Sequence, residues 1–118
     1  MGAEKKKIRA AFREAVFTRD QQKCRVCDIT SGEWRVANDA VITGDTYLDA
    51  HHITDRNLLP NGGYVEENGI SLCPDCHQKA EEFHSAGVSH PGYSPENLYK
   101  LIDSNYEKAT AASEKLKS

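Results

Sequence analysis

Two kinds of residue in this chain could do chemistry, four cysteines and a set of histidines. The cysteines form two pairs, Cys24-Arg-Val-Cys27 and Cys73-Pro-Asp-Cys76. Two residues between cysteines let both sulfurs converge on one ion from a tight turn, and two such knuckles complete a tetrahedral thiolate site for zinc. Redox dithiols and unpaired buried cysteines are the competing readings. Cys73-Pro-Asp-Cys76-His77 also spells the C-x-x-C-H pattern of c-type haem attachment. That chemistry goes with export, no export signal is read in the sequence, and it would leave Cys24 and Cys27 without a role. The zinc deaminase pattern fails, because it needs H-x-E followed by P-C-x-x-C; here the proline lies inside the pair, and Glu follows neither His51 nor His52 two residues on. His51 and His52 stand side by side in the stretch LDAHHI. An imidazole is neutral or charged near neutral pH, so each can be a metal ligand, a proton acceptor or a surface residue.

The order of the remaining polar residues narrows these choices. His51–His52, then Asn68, then His77 directly after the last cysteine are carried by LDAHHI, NGGYVEENGISLC and CPDCH. Together these motifs resemble the HNH family of endonucleases, from about Lys23 to Glu82. The resemblance implies a small ββα-metal core with the double C-x-x-C zinc knuckle; with flanking N- and C-terminal helices, which lie outside it, the expected fold class is α+β. It implies His52 as the general base and His51 as a ligand of a catalytic ion. Asn68 would fix the loop and the base, and His77 would be a second ligand. In bacteriocin-type members a further histidine follows one helical turn later; this sequence has Glu81 there, with His84 as the rival third ligand. Arg56 and Lys79 flank the site as phosphate contacts, against the plainer reading of solvated surface charges. Asp49 could orient a ligand histidine.

The chemistry so implied is phosphodiester hydrolysis. A neutral imidazole takes a proton from water, and a divalent ion neutralises charge at the phosphate and the leaving oxygen. Imidazole ligands suit Mn²⁺, Ni²⁺ or Zn²⁺ better than Mg²⁺, which availability favours. The expected product ends are 5′-phosphate and 3′-hydroxyl, with DNA as substrate and RNA left open. The rival is a non-catalytic zinc module that binds nucleic acid or protein, which would need only the cysteines.

These residues need elements to hold them. Ile8, Phe12, Ala15 and Val16 fall on one stripe, which predicts a helix over 4–20. EWRVA and TYLDAHHI read as strands around the turn TGDT, and residues 54–69 read as loop, broken by Pro60, Gly62 and Gly63. A helix is predicted from Pro74 or Asp75 to just before Gly87. Ser94-Pro95 starts a last helix lined by Leu98, Leu101, Ile102, Tyr106 and Ala109. The predicted organisation is one domain over 1–118, with a basic helix over 1–22, the zinc-stapled core over 23–84 and a single C-terminal helix over 94–117. One difficulty is geometric: neighbouring residues of a strand face opposite sides. His51 and His52 can serve one site only if the strand ends or bulges there.

Composition sets the bounds. With 118 residues, 38% apolar and 28% charged, the core is modest, which is where a metal staple helps. No run approaches the roughly 18 apolar residues of a membrane span. Neither a signal peptide nor a membrane partner is predicted, and a cytoplasm of bacterial or phage type is the expected setting. Net charge is −3, but residues 1–35 carry nine basic against five acidic side chains. A basic segment on an acidic body can meet phosphates locally. A homodimer or a partner protein would be needed for double-strand cleavage or targeting.

Overall fold

The apolar stripe of the N-terminal segment forms α1, Gly2–Arg19, in a computed structural model that describes residues 2–116. Phe12 and Val16 are buried on it, joined by Phe17, while Ala15 stays half-exposed. α1 lies on a two-stranded antiparallel sheet of β1, Asp49–His52, and β2, Gly69–Leu72. Asp49 pairs with Leu72, and His52 with Gly69. The close approach depends on Gly69. A Cβ there would stand 2.5 Å from Val16 Cγ2 and 2.6 Å from Phe12 Cε1.

α3, Pro74–Ala86, packs on the other face of the sheet and completes a ββα unit. Its limits are those predicted: Cys73 is the N-cap, Pro74 takes the first turn, and Gly87 ends it in the left-handed region at φ 74°. Three short 3₁₀ turns, Arg56–Leu58, Pro60–Gly63 and Glu66–Asn68, fill the stretch between the strands. Among the described residues no helix is long and apolar enough to cross a membrane.

Three expectations are corrected. The segment EWRVA is not a strand but lies in α2, Ser31–Ala37. Thr30 accepts from Glu33 N at 3.1 Å, and Glu33 Oε1 accepts from Thr30 N at 2.9 Å. This capping box satisfies two otherwise unpaired donors and outweighs the strand preference of Trp34 and Val36. The partner of the histidine strand is instead GISL, four residues that are all buried and so show no alternation. The single C-terminal helix is two, α4, Pro95–Leu101, and α5, Tyr106–Glu114. Asp103 turns the chain at φ 55°, and Asn105 caps α5 through Lys108 N at 2.8 Å. Leu98 and Ala109 of the predicted stripe are buried, whereas Leu101 and Tyr106 are exposed.

Candidate active site

The two cysteine knuckles meet at the end of the sheet. Arg25 N donates to Ser71 O at 2.9 Å, which ties the first knuckle to β2 just before Cys73. Asp28 takes a left-handed conformation at φ 66° and donates its N–H back to Cys24 O at 2.8 Å, closing that knuckle. The four sulfurs lie within 4.8 Å of one another. Cys24, Cys73 and Cys76 are buried and Cys27 is exposed. Partial desolvation raises Cys27 to about 11 although the residue as a whole is exposed, and burial pushes Cys76 up as well. Burial also acts upward on Cys24, but the backbone N–H groups of Cys27, Cys73 and Val26 outweigh it and leave that thiol lowered. Protein groups alone thus leave at least two of the four protonated, and a bound cation is what would make all four thiolates. Tyr93 donates its hydroxyl to Cys76 Sγ at 3.2 Å. A four-sulfur donor set of this size fits zinc.

The histidines divide between the two faces of β1. The strand keeps its register through His52 without a bulge and ends there, so alternation is retained. His51 turns toward α3. It is 2% exposed, and its Nδ1 lies 3.2 Å from Glu81 Oε2 without hydrogen-bond alignment, so the buried nitrogen is left unpaired. Ligand atoms of His51, Glu81 and His84 lie within 4.8 Å of one another. His51 and His84 stack with ring centroids 5.2 Å apart. The structure therefore places both rival third ligands, Glu81 and His84, beside His51.

His77 stands at the edge of this group. Its Nδ1 lies 3.2 Å from Asp49 Oδ2 and its Nε2 lies 3.2 Å from Glu81 Oε2. Both ring nitrogens thus face carboxylates, which only accept, an arrangement that favours the protonated ring while no cation is bound and that sets Asp49 behind Nδ1 as an orienting partner. The hydrogen bond to Asp49 raises His77 and lowers Asp49 from their ordinary values. Asp49 was a loose suggestion in the sequence, and alternation could have sharpened it, since residues two apart share a strand face. Burial, followed by the neighbouring charges of His77 and His84, drives His51 down to about 2. Its imidazole is neutral at neutral pH, with a lone pair available. These donors suit a divalent ion.

His52 faces the opposite way, toward α1. Its ring stacks on Phe12 with centroids 4.7 Å apart and meets the edge of Tyr64 at 4.7 Å and 90°. Burial, then the charge of Arg56, brings His52 down to about 4. It too is neutral, and its Nε2 is buried without a hydrogen-bond partner. Neither Phe12 nor Tyr64 was singled out as a partner of this histidine, because nothing local in the sequence links them.

Asn68 is fully buried. Its Nδ2 donates to Thr54 O at 3.0 Å and Gly63 O at 3.2 Å, and its Oδ1 accepts from Thr54 N at 2.9 Å and Tyr99 Oη at 2.8 Å. All four hydrogen-bonding positions of the amide are used, and the loop after His52 is locked to the turn before β2. The flanking cations separate. Arg56 is on the His52 side and donates to Tyr64 Oη at 3.1 Å, whereas Lys79 lies 5.6 Å over the ring of Tyr93, beside the cysteines.

A family model for HNH endonucleases matches residues 24–83, just over half of the 118 residues, and spans both cysteine pairs, His51, His52, Asn68 and His77. No curated protein and no solved structure gives a match. The sheet-and-helix core, the four converging sulfurs and this match agree, and the chain belongs to the HNH endonuclease family.

Proposed function

We propose that the chain is a metal-dependent endonuclease that hydrolyses DNA phosphodiesters at the sheet end carrying His51 and His52. The observation that carries this reading is the buried, unpaired Nδ1 of His51 facing Glu81 and His84 across the sheet–helix boundary. A buried polar atom without a partner is costly in a purely structural role. Convergent lone pairs from imidazole and carboxylate are what a divalent ion requires. Such an ion, when bound, would supply positive charge against the phosphate and the leaving oxygen.

The protein's own groups do the rest. His51, Glu81 and His77 or His84 would hold the ion, with Asp49 orienting the His77 ring. His52, neutral and wedged between Phe12 and Tyr64, accepts the proton of the attacking water. Its depressed value makes it a weak base in the free protein. A phosphate anion arriving beside Arg56 offsets the cation that contributes to the depression, so the base strengthens as substrate binds. Asn68 fixes the loop that follows. The cysteine cluster holds zinc and ties β2 and α3 to the first knuckle.

The test is plasmid cleavage with added Mg²⁺, Mn²⁺ or Ni²⁺, wild type beside His52→Ala. Loss of a general base costs about a hundredfold to ten-thousandfold in rate. Equal cutting by both proteins refutes the base assignment. No cutting with any metal, on linear, nicked or branched DNA, favours the non-catalytic zinc module instead.

A further inference from the structure

α1 and the two 3₁₀ turns after His52 enclose a groove of about 480 Å³ lined by Lys5, Arg9, Arg56, Asn57 and Tyr64. Three of its lining side chains are cationic and none is acidic among the described residues. Asp55, next to Arg56 in the chain, is committed to Asn57 N–H at 3.1 Å. Arg56 donates to Tyr64 Oη, and the Arg9 guanidinium lies 5.7 Å from the centroid of the same ring. That ring is the one whose edge meets His52. The groove therefore opens beside the proposed base.

The other side of the site is different. The cleft over His77 is lined by Asp49, Glu81 and Glu82 and contains no Lys or Arg. It suits a cation and repels a chain of phosphates. A polyanion approaching His52 therefore meets favourable charge on the α1 side, where the positive charge of an otherwise acidic protein is gathered.

We propose that this groove binds the nucleic-acid backbone next to the scissile phosphate, with Lys5, Arg9 and Arg56 each contacting phosphate. This rests on the nuclease reading, and it adds a role for α1, which lies outside the family-matched residues. Arg56 holds the Tyr64 hydroxyl and Arg9 lies over its ring, so phosphates bound there also position the ring beside His52. Such contacts fix register without reading sequence.

The test is the salt dependence of binding to a short fluorescein-labelled DNA duplex, measured by anisotropy on the zinc-loaded chain with no other divalent ion. Wild type is compared with Lys5→Ala/Arg9→Ala and with the charge-conserving Lys5→Arg/Arg9→Lys. Each lost phosphate contact removes about 0.9 from the slope of log K against log salt. The double alanine variant should thus lose about twelvefold less affinity than wild type between roughly 50 and 200 mM salt. The charge-conserving variant should keep the wild-type slope. Equal slopes for wild type and the alanine variant overturn the groove, and if His52-dependent cutting persists the nuclease reading stands without it. A reduced slope with no cutting under any metal upholds the groove and removes the nuclease reading. Absence of DNA binding by wild type overturns the groove outright.

Discussion

Asn68 offers the sharpest test of how the site is held. Replacing it with Ala strips partners from Thr54 N, Thr54 O, Gly63 O and Tyr99 Oη at once. A buried polar group left unsatisfied costs about 1–3 kcal/mol. Gly63 is buried and bears the full cost, whereas Tyr99 Oη keeps Thr54 Oγ1 at 2.6 Å, and Thr54 is half-buried so that water can reach it. The expected loss is about 3 kcal/mol, a large share of the roughly 5–15 kcal/mol that a domain has. Tyr99→Phe removes the donor to Asn68 Oδ1, which keeps Thr54 N, and the partner of the half-buried Thr54 Oγ1, so it should cost about 1–2 kcal/mol. Because the two share a hydrogen bond, the double variant should lose about 1 kcal/mol less than the sum. Urea unfolding followed by circular dichroism, with zinc held constant in excess, measures all three. A loss below about 1 kcal/mol for Asn68→Ala, or strict additivity, would refute the argument that this amide locks the loop.

Three other outcomes follow from the same structure. With no divalent ion added beyond zinc, His51 should make the fold acid-sensitive. Its folded value is about 2 against an ordinary 6.5, so its contribution is complete above 6.5 and is lost as pH falls toward 2. Between about pH 7 and pH 5 wild type should lose about 2 kcal/mol more than His51→Leu in urea unfolding, and parallel pH profiles would contradict this. Metal analysis should find about one tightly held zinc per chain, and Cys76→Ser or strong chelation should abolish the far-ultraviolet signal of the fold; a chelated chain that keeps its signal and melting transition shows that zinc is not a staple. Gly69→Ala should cost about 1–3 kcal/mol through overpacking against Val16 and Phe12, and an unchanged melting temperature would show that α1 can withdraw freely.

Sequence carried part of this structure and missed part for identifiable reasons. The cysteine knuckles, α3 from Pro74 to Gly87 and the buried stripe of α1 follow from spacing, caps and periodicity, which are local. α2 was also legible, since Thr30-x-x-Glu33 is a capping box, but the run Trp34-Arg-Val36 imitates strand alternation. β2 is harder. Four buried residues have no polar face, and only pairing with β1 distinguishes them from loop. The break between α4 and α5 rests on Asp103 in the left-handed region and on the Asn105 cap, which compete with an apolar stripe that reads straight through. In the site, the sequence reading needs β1 to lose its alternation at His51 and His52, whereas the register stays regular through His52 and the two face opposite sides. The partners on those faces, Glu81 and His84 for one, Phe12 and Tyr64 for the other, come from distant segments and emerge only on folding.

That division of faces explains why the N-terminal helix belongs to the site although the family match begins after it. A strand cannot turn both neighbours toward α3, so whatever covers His52 must come from the opposite side. α1 supplies Phe12 as the stacking surface and Val16 against Gly69, and Arg9 reaches Tyr64 from the same helix. Without that cover His52 would be hydrated and mobile, and its ring would have no fixed orientation toward a phosphate. The metal-ligand side needs no such help, because α3 brings its own Glu81, His77 and His84. The two halves of the proposed reaction are thus held by different parts of the chain. The ββα unit would hold the ion and α1 with Tyr64 the proposed base, while Asn68, just before β2, locks the loop that follows His52.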